Sequence, residues 1–279
     1  MHPTLIDLQL CWHSLVLGLV VGLTEFLPIS SSAHLKVVPI LLGWGDPGVA
    51  LSAVVELGST AAVIGFFRTE LTGISRAMGR SMRHGDWKNP ESQLGLAILV
   101  GTLPVLIAGS LLKRLLPDFE HSALRSLTAI GIVSIGMALL LALAEIVGRR
   151  FKKLNQVGVG DGWLIGAAQA LAIIPGVSRS GSTITASLMA GWQRESAAEF
   201  SFLLGIPAIG LTGLVELPDA LKQVSITGVI PLLVGVVTAG VVSWFTIGLL
   251  LTYLRRNSTW VFVIYRLVFG LVLLSGRVS

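Results

Sequence analysis

The chain alternates long apolar stretches with short polar ones. Six of the apolar stretches are long enough to cross a bilayer core, which takes about 20 residues of helix. They lie near residues 49–68, 93–113, 124–147, 196–216, 228–253 and 260–276. The pattern therefore predicts an all-α polytopic membrane protein with six transmembrane helices.

Two further apolar regions are interrupted by polar residues and do not fit a simple span. Residues 10–43 are broken by Pro28 and a run of serines, and residues 162–191 by Pro175 and a run of hydroxyl residues around an arginine. Non-helical backbone is tolerated at membrane depth only where protein buries it or water reaches it. We therefore predict that each region is a re-entrant helix-loop-helix hairpin.

A shift of 147 residues aligns these two regions and also places the span near 49 on the span near 196. The aligned identities are Pro28 with Pro175, Ser31 with Ser178, Leu57 with Leu204, and Gly58 with Gly205. We interpret residues 1–279 as a single membrane domain made of two repeats, at about 8–148 and 161–276. Each repeat has three spans, an odd number, so the second enters from the opposite face in an inverted topology.

Lysine and arginine residues predict the orientation, because cytoplasmic loops carry an excess of them. Twelve lie on one side of the predicted spans, mainly in the loops 68–92 and 148–161, and five lie on the other. We expect the twelve-charge side to be cytoplasmic, with both termini and the mouth of the first hairpin facing outward. We attribute the positive charge of these loops to membrane topology and to contact with anionic membrane lipids, rather than to a ligand site.

The amino-acid composition excludes a soluble globular protein and a disordered chain. Apolar residues make up 53% and charged residues only 13% of the chain, and the mean hydropathy is +0.83. The charged share is about half that of a soluble domain, and a disordered chain would be poor in apolar residues. The net charge of +5 is modest and forms no basic stripe. We therefore expect no nucleic-acid partner.

The first hairpin holds three chemically active side chains within ten residues. Glu25, Ser31 and His34 lie in an otherwise apolar setting. An ionisable group inside a membrane costs about 2.5–3.5 kcal/mol on insertion scales, so its default interpretation is functional. We predict that these three residues are catalytic. In the alternative, Glu25 caps the half-helix, and Ser30 and Ser32 satisfy freed backbone groups.

The second hairpin places an arginine among hydroxyl groups at the start of a half-helix. A helix N-terminus attracts phosphate, and a guanidinium presents a planar fork to phosphate oxygens. We predict that Arg179 binds an anion together with Ser178, Ser180 and Thr183, and with Ser30 of the first hairpin. The alternative is that the arginine only forms an ion pair with the glutamate of the first hairpin.

These side chains together suit phosphoryl transfer to water from a lipid-borne phosphate. Two segments closely resemble motifs of the undecaprenyl-diphosphatase family, the bacitracin-resistance proteins. They are residues 24–31, TEFLPISS, followed by His34, and residues 175–180, PGVSRS, followed by Thr183. The resemblance covers the whole chain through its length, both motifs, their separation, and the lead-in ALAIIPG from Ala170.

This resemblance implies a bacterial inner-membrane enzyme that hydrolyses undecaprenyl diphosphate to undecaprenyl phosphate and inorganic phosphate. The product recycles the lipid carrier for peptidoglycan and other envelope polymers, and the active site opens to the outer face. The resemblance also implies the roles of individual residues. It makes Glu25 the essential glutamate, Ser31 the nucleophile, His34 the motif histidine, Arg179 the diphosphate-binding arginine, and Ser178 and Thr183 flanking hydroxyls.

The family resemblance further implies a divalent cation, Mg²⁺ or Ca²⁺, with Glu25 as a candidate ligand. The family usually carries Glu or Gln four residues before its essential glutamate, but this chain has Val21 there. Glu56, at a position where relatives often carry Gln, is a candidate substitute. The expected partners are a polyprenyl diphosphate and membrane lipids, and both a monomer and a homodimer remain open.

Two rival functions differ in the side chains they require. A lipid-phosphate flippase or anion transporter also uses inverted repeats, but it needs no nucleophile such as Ser31 beside a base such as His34. A phosphatidic-acid-type lipid phosphatase needs a histidine six residues after its Ser-Arg pair, where this chain has Thr185. We reject the second rival. The sequence leaves open whether Ser31 or a water activated by Glu25 attacks the phosphorus.

Overall fold

The computed structural model describes residues 5–116, 118–119, 122–223 and 229–276, and within these ranges the fold is helical. The α-helices are α1 (Leu5–Thr24), α2 (Ser31–Leu41), α3 (Val49–Phe66), α4 (Arg68–His84), α5 (Pro90–Leu115), α6 (Leu127–Val147), α7 (Val159–Ala170), α8 (Arg179–Met189), α9 (Arg194–Gln223), α10 (Val229–Leu254) and α11 (Trp260–Leu274). The described part of the chain contains no β-strand beyond one isolated bridge, between Lys152 and Trp192.

Five of the six predicted spans are helices long and apolar enough to cross a membrane, namely α3, α5, α6, α9 and α10. The sixth prediction corresponds to α11, which is apolar but has only 15 residues. At a rise of 1.5 Å per residue it extends about 22 Å, less than the ~30 Å of a typical hydrocarbon core. The chain is therefore a multi-pass helical membrane protein.

The prediction of a loop over residues 68–92 is wrong for most of that segment, because it forms α4. Ile74, Ala77 and Ser81 are buried on one side of this helix, while its arginines lie on the exposed side. Gly85 ends it in a left-handed conformation (φ 74°), which glycine adopts without steric cost. A search for apolar runs misses such a helix because charged residues lower its mean hydropathy.

The long helices pack in pairs that join the two ends of the chain. The most extensive contacts are between α1 and α10, α5 and α7, α6 and α11, and α3 and both α9 and α10. Glycines allow this close packing, as is common between membrane helices. A Cβ on Gly58 would lie 1.9 Å from the Val236 carbonyl oxygen, and one on Gly166 would lie 2.2 Å from that of Gly101.

Each of the two interrupted regions contains two helices, with a non-helical turn before the second. Ser30 precedes α2 and Ser178 precedes α8, and both have positive φ, 77° and 72°. Each serine oxygen accepts a hydrogen bond from the backbone N–H three residues later, which is a helix N-cap. Cap geometry therefore pairs Ser30 with Ser178, one residue away from the alignment of Ser31 with Ser178. The second turn is longer by one residue between its proline and its cap.

The segment after α2 is held near the start of α6 by charged contacts. Asp46 accepts a hydrogen bond from Arg125 at 2.8 Å and from the Gly48 backbone N–H at 3.0 Å, and Lys36 lies 3.4 Å away. Burial alone acts to raise the pKa of Asp46. The Gly48 N–H and the two cations outweigh that effect and hold the pKa below its usual value.

Candidate active site

The first residues of α2 and α8 lie beside one buried carboxylate. Ser31 begins α2, Arg179 begins α8, and Glu25 lies in the turn after α1. The Ser31 hydroxyl donates to Glu25 Oε2 at 2.5 Å, and Arg179 Nη2 donates to Glu25 Oε1 at 3.3 Å. Glu25 is only 5% exposed. One carboxylate therefore connects the hydroxyl of one hairpin to the guanidinium of the other.

Arg179 keeps donor capacity beyond its ion pair with Glu25. Its Nη1 donates to the Ser201 carbonyl at 2.7 Å, and its guanidinium lies over the Phe26 ring at 5.9 Å. Its Nε is buried without a hydrogen-bond partner. Gly205 makes room for this side chain, because a Cβ there would lie 2.5 Å from Nη1. The predicted ion pair with Glu25 is therefore present, and it uses only part of the donor capacity of a guanidinium that lines the cavity.

A cavity of about 710 Å³ adjoins these residues. Its polar wall is formed by Glu25, Ser31, Glu56, Gln169, Ser178 and Arg179. Aliphatic and aromatic side chains such as Val105, Leu112, Phe119 and Ile209 form much of the remaining wall. Lys113 and Lys222 also line it, each within ion-pair distance of an acidic residue. The cavity thus combines anion-binding groups with an apolar surface, as an amphiphilic ligand requires.

The hydroxyl residues predicted to bind the anion fall into two groups. Ser178 lines the cavity, whereas Ser30, Ser180 and Thr183 are not among its lining residues. The Ser180 hydroxyl donates to the Leu27 carbonyl at 2.9 Å, and the Thr183 hydroxyl to the Arg179 carbonyl at 2.8 Å. The Ser180 contact holds the non-helical turn after α1 against α8. The Thr183 contact stabilises the N-terminal end of α8.

His34 is buried beside the site, with both ring nitrogens occupied. Nδ1 lies 2.7 Å from the Ser30 carbonyl oxygen, and Nε2 lies 2.6 Å from the Tyr265 hydroxyl. A carbonyl only accepts, so Nδ1 carries the hydrogen and Nε2 accepts from Tyr265. The ring also stacks on Phe269 at 4.5 Å. His34 therefore makes no hydrogen bond to Ser31 and does not line the cavity.

Arg266 is a functional candidate that the sequence analysis missed. It lies in α11 and is 1% exposed, and it forms no ion pair with any described carboxylate. Its Nη1 donates to the Pro28 carbonyl at 3.0 Å and its Nη2 to the Gly176 carbonyl at 2.6 Å. One guanidinium thus connects the two non-helical turns. An arginine inside an apolar stretch was the available signal, because such residues mark functional positions in membranes.

The cavity is compatible with a divalent cation. Within the described part of the chain, no three His, Cys, Asp or Glu side chains form a metal cluster. Mg²⁺ does not need such a cluster, because proteins usually bind it through one or two carboxylates plus substrate phosphates. Glu25 meets that requirement beside the polar wall of the cavity. Val21, in contrast, is 0% exposed in an apolar cluster and offers no ligand.

The fold defines an integral membrane protein, and its cavity combines a guanidinium and hydroxyl groups with an apolar surface. Comparison with known proteins gives the family: the chain belongs to the family described as bacitracin resistance protein BacA, whose model matches residues 14–272. A Synechococcus sp. (strain RCC307) protein named undecaprenyl-diphosphatase is 63% identical over 96% of this chain and 94% of its own length. A Prochlorococcus marinus (strain MIT 9303) protein of the same name is 59% identical over 98% and 93%.

Proposed function

We propose that this chain is a phosphatase that hydrolyses undecaprenyl diphosphate to undecaprenyl phosphate and inorganic phosphate. The activity recycles the lipid carrier for peptidoglycan and envelope polymers and confers bacitracin resistance. The observation that carries the proposal is the contact of Glu25 with both Ser31 and Arg179 beside an amphiphilic cavity. The name shared by the similar proteins supports the same substrate.

The chemistry begins at the Ser31 hydroxyl, which already donates to Glu25. Glu25 takes this proton while Ser31 Oγ attacks the distal phosphorus. The bond from that phosphorus to the bridging oxygen breaks, and undecaprenyl phosphate leaves with the proton from Glu25, which restores the carboxylate. Water then attacks the phosphoserine while Glu25 takes a proton from it. The bond from phosphorus to Ser31 Oγ breaks, Glu25 returns the proton to Ser31 Oγ, and inorganic phosphate is released. We assign the base to Glu25 because both His34 nitrogens are occupied elsewhere.

The N-termini of α2 and α8 supply positive electrostatic potential to the phosphate groups of the substrate. The free N–H groups and the dipole of each helix N-terminus attract phosphate oxygens. Arg179 adds donors on the same side, and such preorganised groups stabilise charge in the transition state. A divalent cation, Mg²⁺ or Ca²⁺, supplies further positive charge to the phosphate oxygens when bound, and Glu25 would hold it.

We also propose that the chain is an inverted-topology repeat with six crossings and two re-entrant hairpins. The helix contacts support this, because α1 packs on α10 in the way that its counterpart α7 packs on α5. The pairs α3 with α9 and α6 with α11 each join counterparts. The matching serine caps before α2 and α8 support the same relation. In this arrangement α11 is the shortest crossing.

The proposed orientation follows from charge. Lys113 and Lys222, which line the cavity, belong to the side with five lysine and arginine residues, and the arginines of α4 belong to the side with twelve. Because excess positive charge stays cytoplasmic, the cavity opens to the outer face of the bacterial inner membrane, and both termini lie outside. Tags at residues 84 and 155 should then be protected in intact cells.

The direct test is phosphate release from undecaprenyl diphosphate by the purified full-length protein, with and without a chelator. We expect release that the chelator abolishes and that Mg²⁺ or Ca²⁺ restores. A protein that moves the lipid diphosphate between leaflets of a vesicle without releasing phosphate would instead be a flippase. That result would refute the proposed function.

A further inference from the structure

A second carboxylate reaches the site from a different helix. Glu56 lies on α3 and lines the cavity together with Glu25 and Arg179. It is close enough to both for their charges to act on it. Among the described residues, no hydrogen bond or ion pair engages its carboxylate, whereas Glu25 contacts both Ser31 and Arg179. The proposed mechanism gives Glu56 no role.

The charges in the polar wall do not balance. Among the described lining residues, Glu25 and Glu56 are two carboxylates beside one guanidinium, that of Arg179. The lining lysines Lys113 and Lys222 are each within ion-pair distance of another acidic residue. The diphosphate of the proposed substrate adds further negative charge to the same cavity. Like charges repel, so a further cation beside these two carboxylates would favour binding of this substrate.

An uncharged side-chain amide in the same wall also indicates a cation site. Gln169 lies on α7 and is 0% exposed, yet both its amide nitrogen and its amide oxygen lack hydrogen-bond partners. Buried polar groups are normally paired, so an unpaired amide at a cavity wall is suited to bind an ion or water. Carboxylate and side-chain amide oxygens are the ligands that Mg²⁺ and Ca²⁺ take in proteins.

We propose that Glu56 is a ligand of a divalent cation that binds at the polar wall of this cavity, with Glu25 as the second carboxylate and the Gln169 amide oxygen as a neutral ligand. Phosphate oxygens of the lipid diphosphate complete the coordination, and this last part rests on the proposed function. The carboxylate that α1 lacks at Val21 is thus supplied by α3.

The test measures cation binding directly, with Mn²⁺ as a paramagnetic probe. Purified full-length protein is titrated and free Mn²⁺ is followed by electron paramagnetic resonance, with and without methylenediphosphonate as a soluble diphosphate. We compare the wild type with Glu56→Gln, Glu56→Asp and the control Glu216→Gln. Glu216 also lines the cavity but lies 3.9 Å from Lys113.

Glu56→Gln should raise the Mn²⁺ dissociation constant at least about tenfold. Glu56→Asp, which keeps the carboxylate, should bind more tightly than the Gln variant. Glu216→Gln should stay within about threefold of the wild type, because the Glu216 carboxylate lies 3.9 Å from Lys113 and is not one of the proposed ligands. The half-saturating Mg²⁺ concentration for phosphate release should rise with the dissociation constant.

Wild-type Mn²⁺ affinity in Glu56→Gln would overturn the proposal, even if that variant lost activity, because Glu56 would then act as an acid or base. A wild-type protein that binds no Mn²⁺ under either condition would overturn it too. Binding that depends on Glu56, in a protein that releases no phosphate from undecaprenyl diphosphate, would support the cation site and refute the proposed function alone.

Discussion

Replacing Arg266 by methionine tests whether one buried guanidinium positions both turns of the site. The substitution removes the donors to the Pro28 and Gly176 carbonyls but keeps much of the apolar side chain. A buried carbonyl left without a donor costs about 1–3 kcal/mol. Removing a buried charge that has no carboxylate partner returns part of that cost. We therefore expect a net loss of about 2–4 kcal/mol in the free energy of unfolding.

The effect on turnover should exceed what the loss of stability explains. Glu25 lies in the non-helical turn before α2, Ser31 follows that turn, and Arg179 follows the turn before α8, so a shift between the two turns separates groups that must act together. A displacement of about 1 Å is enough to reduce kcat by roughly 10²-fold. Arg266→Lys, with a single ammonium group, should give intermediate values of both quantities.

Melting temperature in detergent and phosphate release from undecaprenyl diphosphate measure the two effects. Arg256→Met is the matched control, because Arg256 is exposed after α10 and should change stability by less than about 0.5 kcal/mol. Wild-type melting and turnover in Arg266→Met would refute the role of this side chain. A lower melting temperature with unchanged kcat in the folded protein would leave Arg266 a purely structural residue.

Three further predictions concern the site and its surroundings. Ser31→Ala should lower kcat by about 10²-fold or more with little change in substrate binding; wild-type turnover would instead indicate direct attack by water. Arg179→Lys should lower kcat/KM at least about tenfold, or 1.4 kcal/mol, because an ammonium cannot present a planar fork to phosphate; equal kcat/KM values would contradict the phosphate contact. The lowered pKa of Asp46 means that its contribution to stability is complete above the ordinary aspartate pKa of about 3.9 and is lost as pH falls through the lowered value. The melting-temperature difference between wild type and Asp46→Asn should therefore shrink below that pH, and a constant difference would contradict the ion contacts with Lys36 and Arg125.

Hydropathy predicts the long helices well because burial in lipid requires long apolar runs. It fails for α4, whose arginines lower the local hydropathy while one side of the helix is buried. The motif residues Glu25, Ser31 and Arg179 all line one cavity. They stand out in the sequence because polar and charged side chains are costly to insert into a membrane and therefore mark functional positions.

Side-chain partners are less predictable because they come from distant segments. No sequence pattern connects His34 with Tyr265, which is 231 residues away. That contact occupies His34 Nε2, so His34 does not hydrogen-bond Ser31. Likewise, the identities that suggest a 147-residue shift cannot reveal an extra residue in the second turn, which moves the cap to Ser178. The inward position of Gln169 also depends on how α7 is rotated.

The pairing of α1 with α10 and of α5 with α7 has a consequence for how the protein is made. The partner helices in each pair come from opposite halves of the chain. During synthesis Glu25 is therefore in the membrane long before Arg179 follows it, and α1 lacks its most extensive packing partner until α10 is inserted. The active site is thus a property of the finished chain, and separately expressed halves should become active only after they associate.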